Sequence, residues 1–205
     1  DGDMLSETVH TVLENYPKCS VDTLMNHLGT HDTARVLTVL GKDGNFVGDR
    51  AWQSEQRLND YEYSLGIKRL KIAAVIQYTL PGVPSVFYGD EAGVQGYGDP
   101  FCRVTYPWGN ENESLVEFYT VLGKVRRSCK AFIDGNFYTV FANDNAVAYT
   151  RKNIEGIAFI AVNRGENEVN ITVPDVFKDC KNFFGKAGCD GFVNLKSYEY
   201  SIIYK

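Results

Sequence analysis

The chain has 205 residues, 44% hydrophobic and 23% charged, which is enough apolar material for a sizeable core in one large domain or two small ones. A net charge of −5 with no Lys/Arg cluster argues against a nucleic-acid partner. No apolar run reaches the about 18 residues needed to span a bilayer, so no membrane partner is expected. Taking the elements in chain order, residues 4–16 place Leu5, Val9, Val12 and Tyr16 at helical spacing, and Pro17 stops the helix. Residues 23–28, TLMNHL, are a short apolar run before Gly29, as in a buried strand that delivers Thr30, His31, Asp32 and Thr33 into a loop. The polar stretch 41–60 reads as a long excursion. A second helix, through Tyr63, Ile67, Leu70 and Ala74, runs from Tyr61 to Leu80 and is closed by Pro81. Residues 83–88 are β-branched and aromatic between Pro81 and Gly89, the composition of a fully buried strand. A third helix covers about 113–129 with Leu115, Phe118, Leu122 and Val125 on one face. Such alternation predicts a parallel sheet covered by helices.

After residue 130 the texture changes to short strand-like runs, among them FYTVFAND, GIAFIAVNR and KSYEYSIIYK, separated by turn residues. The expected organisation is therefore an α/β part over 1–130 and an antiparallel β-sandwich over 131–205. Thirteen Tyr and twelve Phe suit the apolar faces of sugars or bases as well as a core, and core packing accounts for most of them. A separate glycan-binding role for the β part is the weaker reading, because its aromatics alternate with the strand period. Five scattered cysteines, Cys19, Cys102, Cys129, Cys180 and Cys189, show no CxxC spacing. Neither a zinc site nor a disulfide framework is supported, so no metal or cofactor is expected. Reduced thiols in a cytoplasmic protein are the simplest reading, with local pairing of Cys180 and Cys189 the alternative if the protein is secreted. His27 reads as a core histidine and His10 as a surface residue on the first helix.

In parallel α/β barrels the reactive groups sit where strands end. Both strands here put polar residues there: Thr30, His31, Asp32 and Thr33 after the first, and Tyr88, Asp90 and Glu91 after the second. A carboxylate accepts hydrogen bonds from two neighbouring hydroxyls while an imidazole N–H donates to an oxygen of the same diol. Sugars offer that diol.

The stretch NHLGTHDTAR resembles the fourth conserved region of the α-amylase superfamily, glycoside hydrolase family 13, in its neopullulanase, cyclomaltodextrinase and maltogenic amylase form. PGVPSVFYGDEAG followed by GYGDPFCRVTYPW is similar to the segment around the eighth barrel strand of the same group. The resemblance implies the last part of a (β/α)8 TIM barrel, strands seven and eight with their helices, followed by the β-sandwich. It implies that Asp32 is the third catalytic carboxylate, a transition-state stabiliser, with His31 beside it at the −1 subsite. Asp99 and Arg103, from the DPFCR segment, become a substrate-contacting pair. Arg35, Asp90 and Glu91 become supporting residues, through ion pairs and bonds to loop backbone, with substrate contact the equal alternative for Arg35. TYPW stands where the family more usually has PMxW, which leaves Tyr106 and Trp108 without an assigned contact.

Retaining glycoside hydrolysis needs a nucleophile and an acid/base about 5 Å apart. In this family they follow the fourth and fifth strands in GxRxD and GE motifs, and neither strand end of the α/β part carries one. The chain opens with DGD rather than Met, so it reads as beginning inside a longer protein. The expected activity is that of a parent hydrolase on α-glucan oligosaccharides, with these residues alone inert and prone to self-association. A non-catalytic carbohydrate- or protein-binding relative of the fold is the alternative.

Overall fold

The computed structural model describes residues 1–42, 48–188 and 191–205. In chain order it contains α1 (Gly2–Asn15), α2 (Lys18–Val21), β1 (Met25–His27), α3 (Val36–Gly41), α4 (Arg50–Glu55), α5 (Asp60–Thr79), β2 (Val83–Ser85), α6 (Glu113–Ser128) and α7 (Ala131–Asp134). The strands β3 (Asn136–Ala142), β4 (Ala146–Lys152), β5 (Ile157–Asn163), β6 (Val169–Thr172), β7 (Phe183–Gly185), β8 (Phe192–Leu195) and β9 (Tyr200–Tyr204) follow. These elements fall into two compact units. One comprises Asp1–Asn26, Tyr78–Val83 and Leu122–Lys205, and the other His27–Gln77 and Pro84–Val121.

In the first unit, β3, β4, β5, β9 and β7 form an antiparallel sheet in that order, and β6 pairs antiparallel with β8. Ala148, Phe159, Ile171, Val193, Leu195 and Ile203 from both sheets meet in one buried cluster. The predicted turn residues act through their side chains: Asn143 Oδ1 accepts from the N–H of Asn145 and Ala146, and Asn153 Oδ1 from those of Glu155 and Gly156. Asn163, fully buried at the end of β5, accepts from Gly165 N–H and donates among the carbonyls of Asn167, Leu195 and Lys196. Asn163→Ala strands these backbone groups, so a loss of about 2–3 kcal/mol is expected in urea unfolding; a loss below about 1 kcal/mol would show that water replaces the amide. Helix α1 is capped by Asp1, whose carboxylate accepts from Met4 N–H, and ends where Pro17 forces Tyr16 into an extended conformation. Arg151, fully buried, donates to the carbonyls of Gly135 and Thr79, and burial lowers its pKa to about 10.

In the second unit, α5 starts with reciprocal bonds: Glu62 N–H donates to Asn59 Oδ1 and Asn59 N–H to Glu62 Oε2, both at 2.9 Å. Gly66 lets α5 approach α3, because a Cβ there would lie 2.9 Å from Leu37 Cδ1 and 3.3 Å from Gly41 Cα. Leu37, Leu70, Val75 and Leu115 are fully buried.

Several expectations need correction. The stretch 41–60 holds α4, and residues 43–47 lie outside the described residues, as does Cys189 of the suggested Cys180–Cys189 pair. The two strands are three residues each and pair only with one another among the described residues. They are not fully buried: Leu24, Met25, Leu28 and Val83 are all exposed, and among the described residues no third strand extends the pair. For the same reason His27 is exposed rather than in the core. His10 is half-buried instead of exposed, its ring edge-on to Phe137 and its Nε2 3.0 Å from Thr139 Oγ1.

Candidate active site

The end of β1 runs into a loop tied by its own threonines. Thr30 N–H donates to Thr33 Oγ1 at 3.2 Å and Asp32 N–H to Thr30 Oγ1 at 3.3 Å, which presents His31 and Asp32 to solvent. Gly29 is required beneath them, because a Cβ would sit 2.7 Å from Asp90 Oδ2.

Arg103 gathers the predicted site residues. Its Nε lies 2.9 Å from Asp99 Oδ1 and 3.0 Å from the His31 carbonyl, and its Nη2 lies 3.2 Å from Asp32 Oδ1. The other Asp32 oxygen is 3.2 Å from His31 Nε2. Asp32 and His31 side chains are both 67% exposed, so these contacts stabilise the fold by at most about 1 kcal/mol each. Their arrangement instead offers hydroxyl groups an acceptor carboxylate flanked by donors.

Arg35 and Asp90 are buried in a separate layer of the same unit, with Glu91 half-buried. The Arg35 guanidinium donates to the carbonyls of Cys102 and Tyr88, lies 3.3 Å from Asp90 Oδ1, and stacks over the rings of Phe87 and Tyr88 at 4.3 and 4.6 Å. Arg35 Nη2 and Glu91 Oε2 have no hydrogen-bond partner among the described residues. Burial raises the Asp90 carboxyl to about 6, outweighing the pull of Arg35, and Glu91 pushes the same way. Arg35 is thus out of reach of any substrate in this arrangement, and it fastens the loop of Asp32 to the backbone beside Arg103.

Cys102 went unassigned in the sequence reading. It is fully buried, its carbonyl receives Arg35 and its thiol donates to the His31 carbonyl at 3.3 Å. Its place beside Arg103 in DPFCR was the available signal. The rings of Tyr106 and Trp108 meet at a tilt of 49° with their centroids 4.5 Å apart, and Trp108 is 80% exposed.

No family model matches the chain. The amylopullulanase of Thermoanaerobacter thermohydrosulfuricus is 34% identical over 191 residues, covering 87% of this chain and 12% of its own length. The cyclomaltodextrinase of Geobacillus thermopakistaniensis (strain MAS1) is 30% identical over 167 residues, 80% of this chain and 24% of its own. The debranching enzyme of Nostoc punctiforme superposes on 100% of this chain and 40% of its own with a TM-score of 0.77 at 23% identity, a likeness of fold. The chain belongs to the α-amylase superfamily, glycoside hydrolase family 13. Within this amylase family it spans about an eighth to a quarter of the length of these two curated relatives. Among the described residues no helix is long and apolar enough to cross a membrane, and no group of three or more His, Cys, Asp or Glu is placed to hold a metal ion.

Proposed function

We propose that these 205 residues serve in a larger retaining hydrolase of maltodextrins, pullulan or cyclodextrins. Residues 1–130 supply strands seven and eight of its (β/α)8 barrel, and 131–205 a β-sandwich. The observation that carries this reading is the convergence of His31, Asp32 and Asp99 on Arg103 at the end of β1. Asp32 accepts two vicinal hydroxyls of the glucosyl unit at the −1 subsite, and its charge stabilises the oxocarbenium-like transition state. His31 donates to the same unit, and Asp99 and Arg103 hold its far side. Arg35 and Asp90, with Glu91 beside them, keep the two loops in place. Nucleophile and acid/base come from residues of the parent beyond these 205. Among the described residues Cys19, Cys102, Cys129 and Cys180 form no disulfide with one another, and a cytoplasmic enzyme is the reading proposed.

Intact mass and activity of the natural gene product test this together. A product longer than 205 residues that cleaves maltodextrin with retention is expected, whereas the isolated 205-residue chain gives no hydrolysis and sediments as an oligomer through the exposed side chains of β1 and β2. Hydrolysis by the pure chain, or an inactive natural product of 205 residues, refutes the proposal.

A further inference from the structure

The peptide that joins His31 to Asp32 is held at both of its polar ends. Its carbonyl accepts from two consecutive residues of the DPFCR segment, the Cys102 thiol at 3.3 Å and Arg103 Nε at 3.0 Å, and its N–H donates to Thr30 Oγ1 at 3.3 Å. The two carbonyl donors differ in kind. Arg103 is half-exposed and its Nε also faces Asp99 Oδ1 at 2.9 Å, so one N–H is shared between two oxygens. Cys102 is fully buried, and its own carbonyl receives Arg35 Nε at 2.7 Å. Gly96 holds that segment close: a Cβ there would lie 3.0 Å from Cys102 Cα, while the Gly96 carbonyl accepts from Arg35 N–H and its N–H donates to Thr38 Oγ1, both at 2.9 Å. Cys102 therefore meets the loop of Asp32 twice, once through sulfur and once through backbone.

We infer that Cys102 is a positioning residue for Asp32, acting through the His31 carbonyl. The inference rests on the proposed role of Asp32. A peptide unit is planar, so fixing its oxygen and its N–H anchors the Cα from which the Asp32 side chain departs. When substrate hydroxyls engage Arg103 and Asp99, the shared N–H is drawn away from the His31 carbonyl, and the thiol is the donor that stays. Cys102 touches no substrate, because it is fully buried in this arrangement.

The test uses the full-length protein and maltodextrin. Ala and Ser leave similar space at position 102, but only Ser brings back a donor, so the two variants separate the hydrogen bond from the packing. Cys102→Ala is expected to lower kcat about tenfold with KM within about twofold, because a displaced carboxylate costs more in the transition state than in binding. Cys102→Ser should recover most of that loss, although both variants shed similar stability in urea. Thr30→Val removes the acceptor at the other end of the same peptide, on a half-buried loop residue, and should lower kcat by a similar factor. It decides the question should the Cys102 variants fail to fold. Equal kcat in Cys102→Ala and Cys102→Ser, or wild-type kcat in Thr30→Val, overturns this inference alone when the wild type cleaves maltodextrin. A wild type that cleaves none overturns it together with the active-site reading.

Discussion

Asp32→Asn in the full-length protein is expected to lower kcat/KM on maltodextrin by about 10²–10³-fold, the cost of removing one preorganised electrostatic contact to a transition state. Stability should hardly move. The side chain is 67% exposed, and both its partners, His31 and Arg103, are exposed, so the contacts contribute at most about 1 kcal/mol. The amide keeps one acceptor oxygen but replaces the other with a donor and removes the charge. Two substrate hydroxyls can then no longer both donate, and the positive charge developing on the sugar loses its nearest counterion. Since charge matters most in the transition state, kcat should carry more of the loss than KM. Unchanged activity, or a loss accompanied by an equal drop in the urea midpoint, would remove Asp32 from the reaction.

His31 and Asp32 were legible as the polar end of a short apolar run, whereas Asp99 and Arg103 came only from the resemblance of DPFCR to the family segment; the structure brings the four side chains together. The supporting layer was legible only in part. That Arg35 pairs with Asp90 follows from charge, but that it also spans the carbonyls of Cys102 and Tyr88 depends on loop paths with no periodicity to read. Helix positions 60–79 and 113–128 were readable from apolar spacing, with Pro81 closing the first, while their side-chain caps Asn59 and Asn112 emerge only in the structure. Apolar content misled at β1 and β2, where composition predicted burial and the side chains stand exposed. Burial is set by neighbours, and those strands pair only with each other among the described residues.

The Arg35–Asp90 pair should dominate the pH dependence of the stability of the unit that holds it. Asp90 is pushed up to about 6 from an ordinary carboxylate value of 3.8, because burial costs its charged form more than Arg35 returns. Between pH about 4 and about 6 the folded chain therefore holds a proton that the unfolded chain has released. Stability from this group is greatest below the ordinary value and declines as pH rises to about 6, by about 3 kcal/mol for a shift of roughly two units. Asp90→Asn should flatten this trend, so the wild-type stability minus that of the variant falls by about 3 kcal/mol from pH 4 to pH 7 in urea titrations. Arg35→Ala acts in the opposite sense of charge. It removes the guanidinium beside Asp90, strands the carbonyls of Cys102 and Tyr88, and opens a cavity between the loops. The expected loss is about 3–5 kcal/mol at pH 7 and distinctly less at pH 5, where protonated Asp90 needs no counterion. A loss that is equal at both values would mean that Arg35 acts through its carbonyl contacts and stacking alone. A wild-type difference that instead grows as pH rises would mean that the ion pair outweighs burial and that Asp90 sits below its ordinary range.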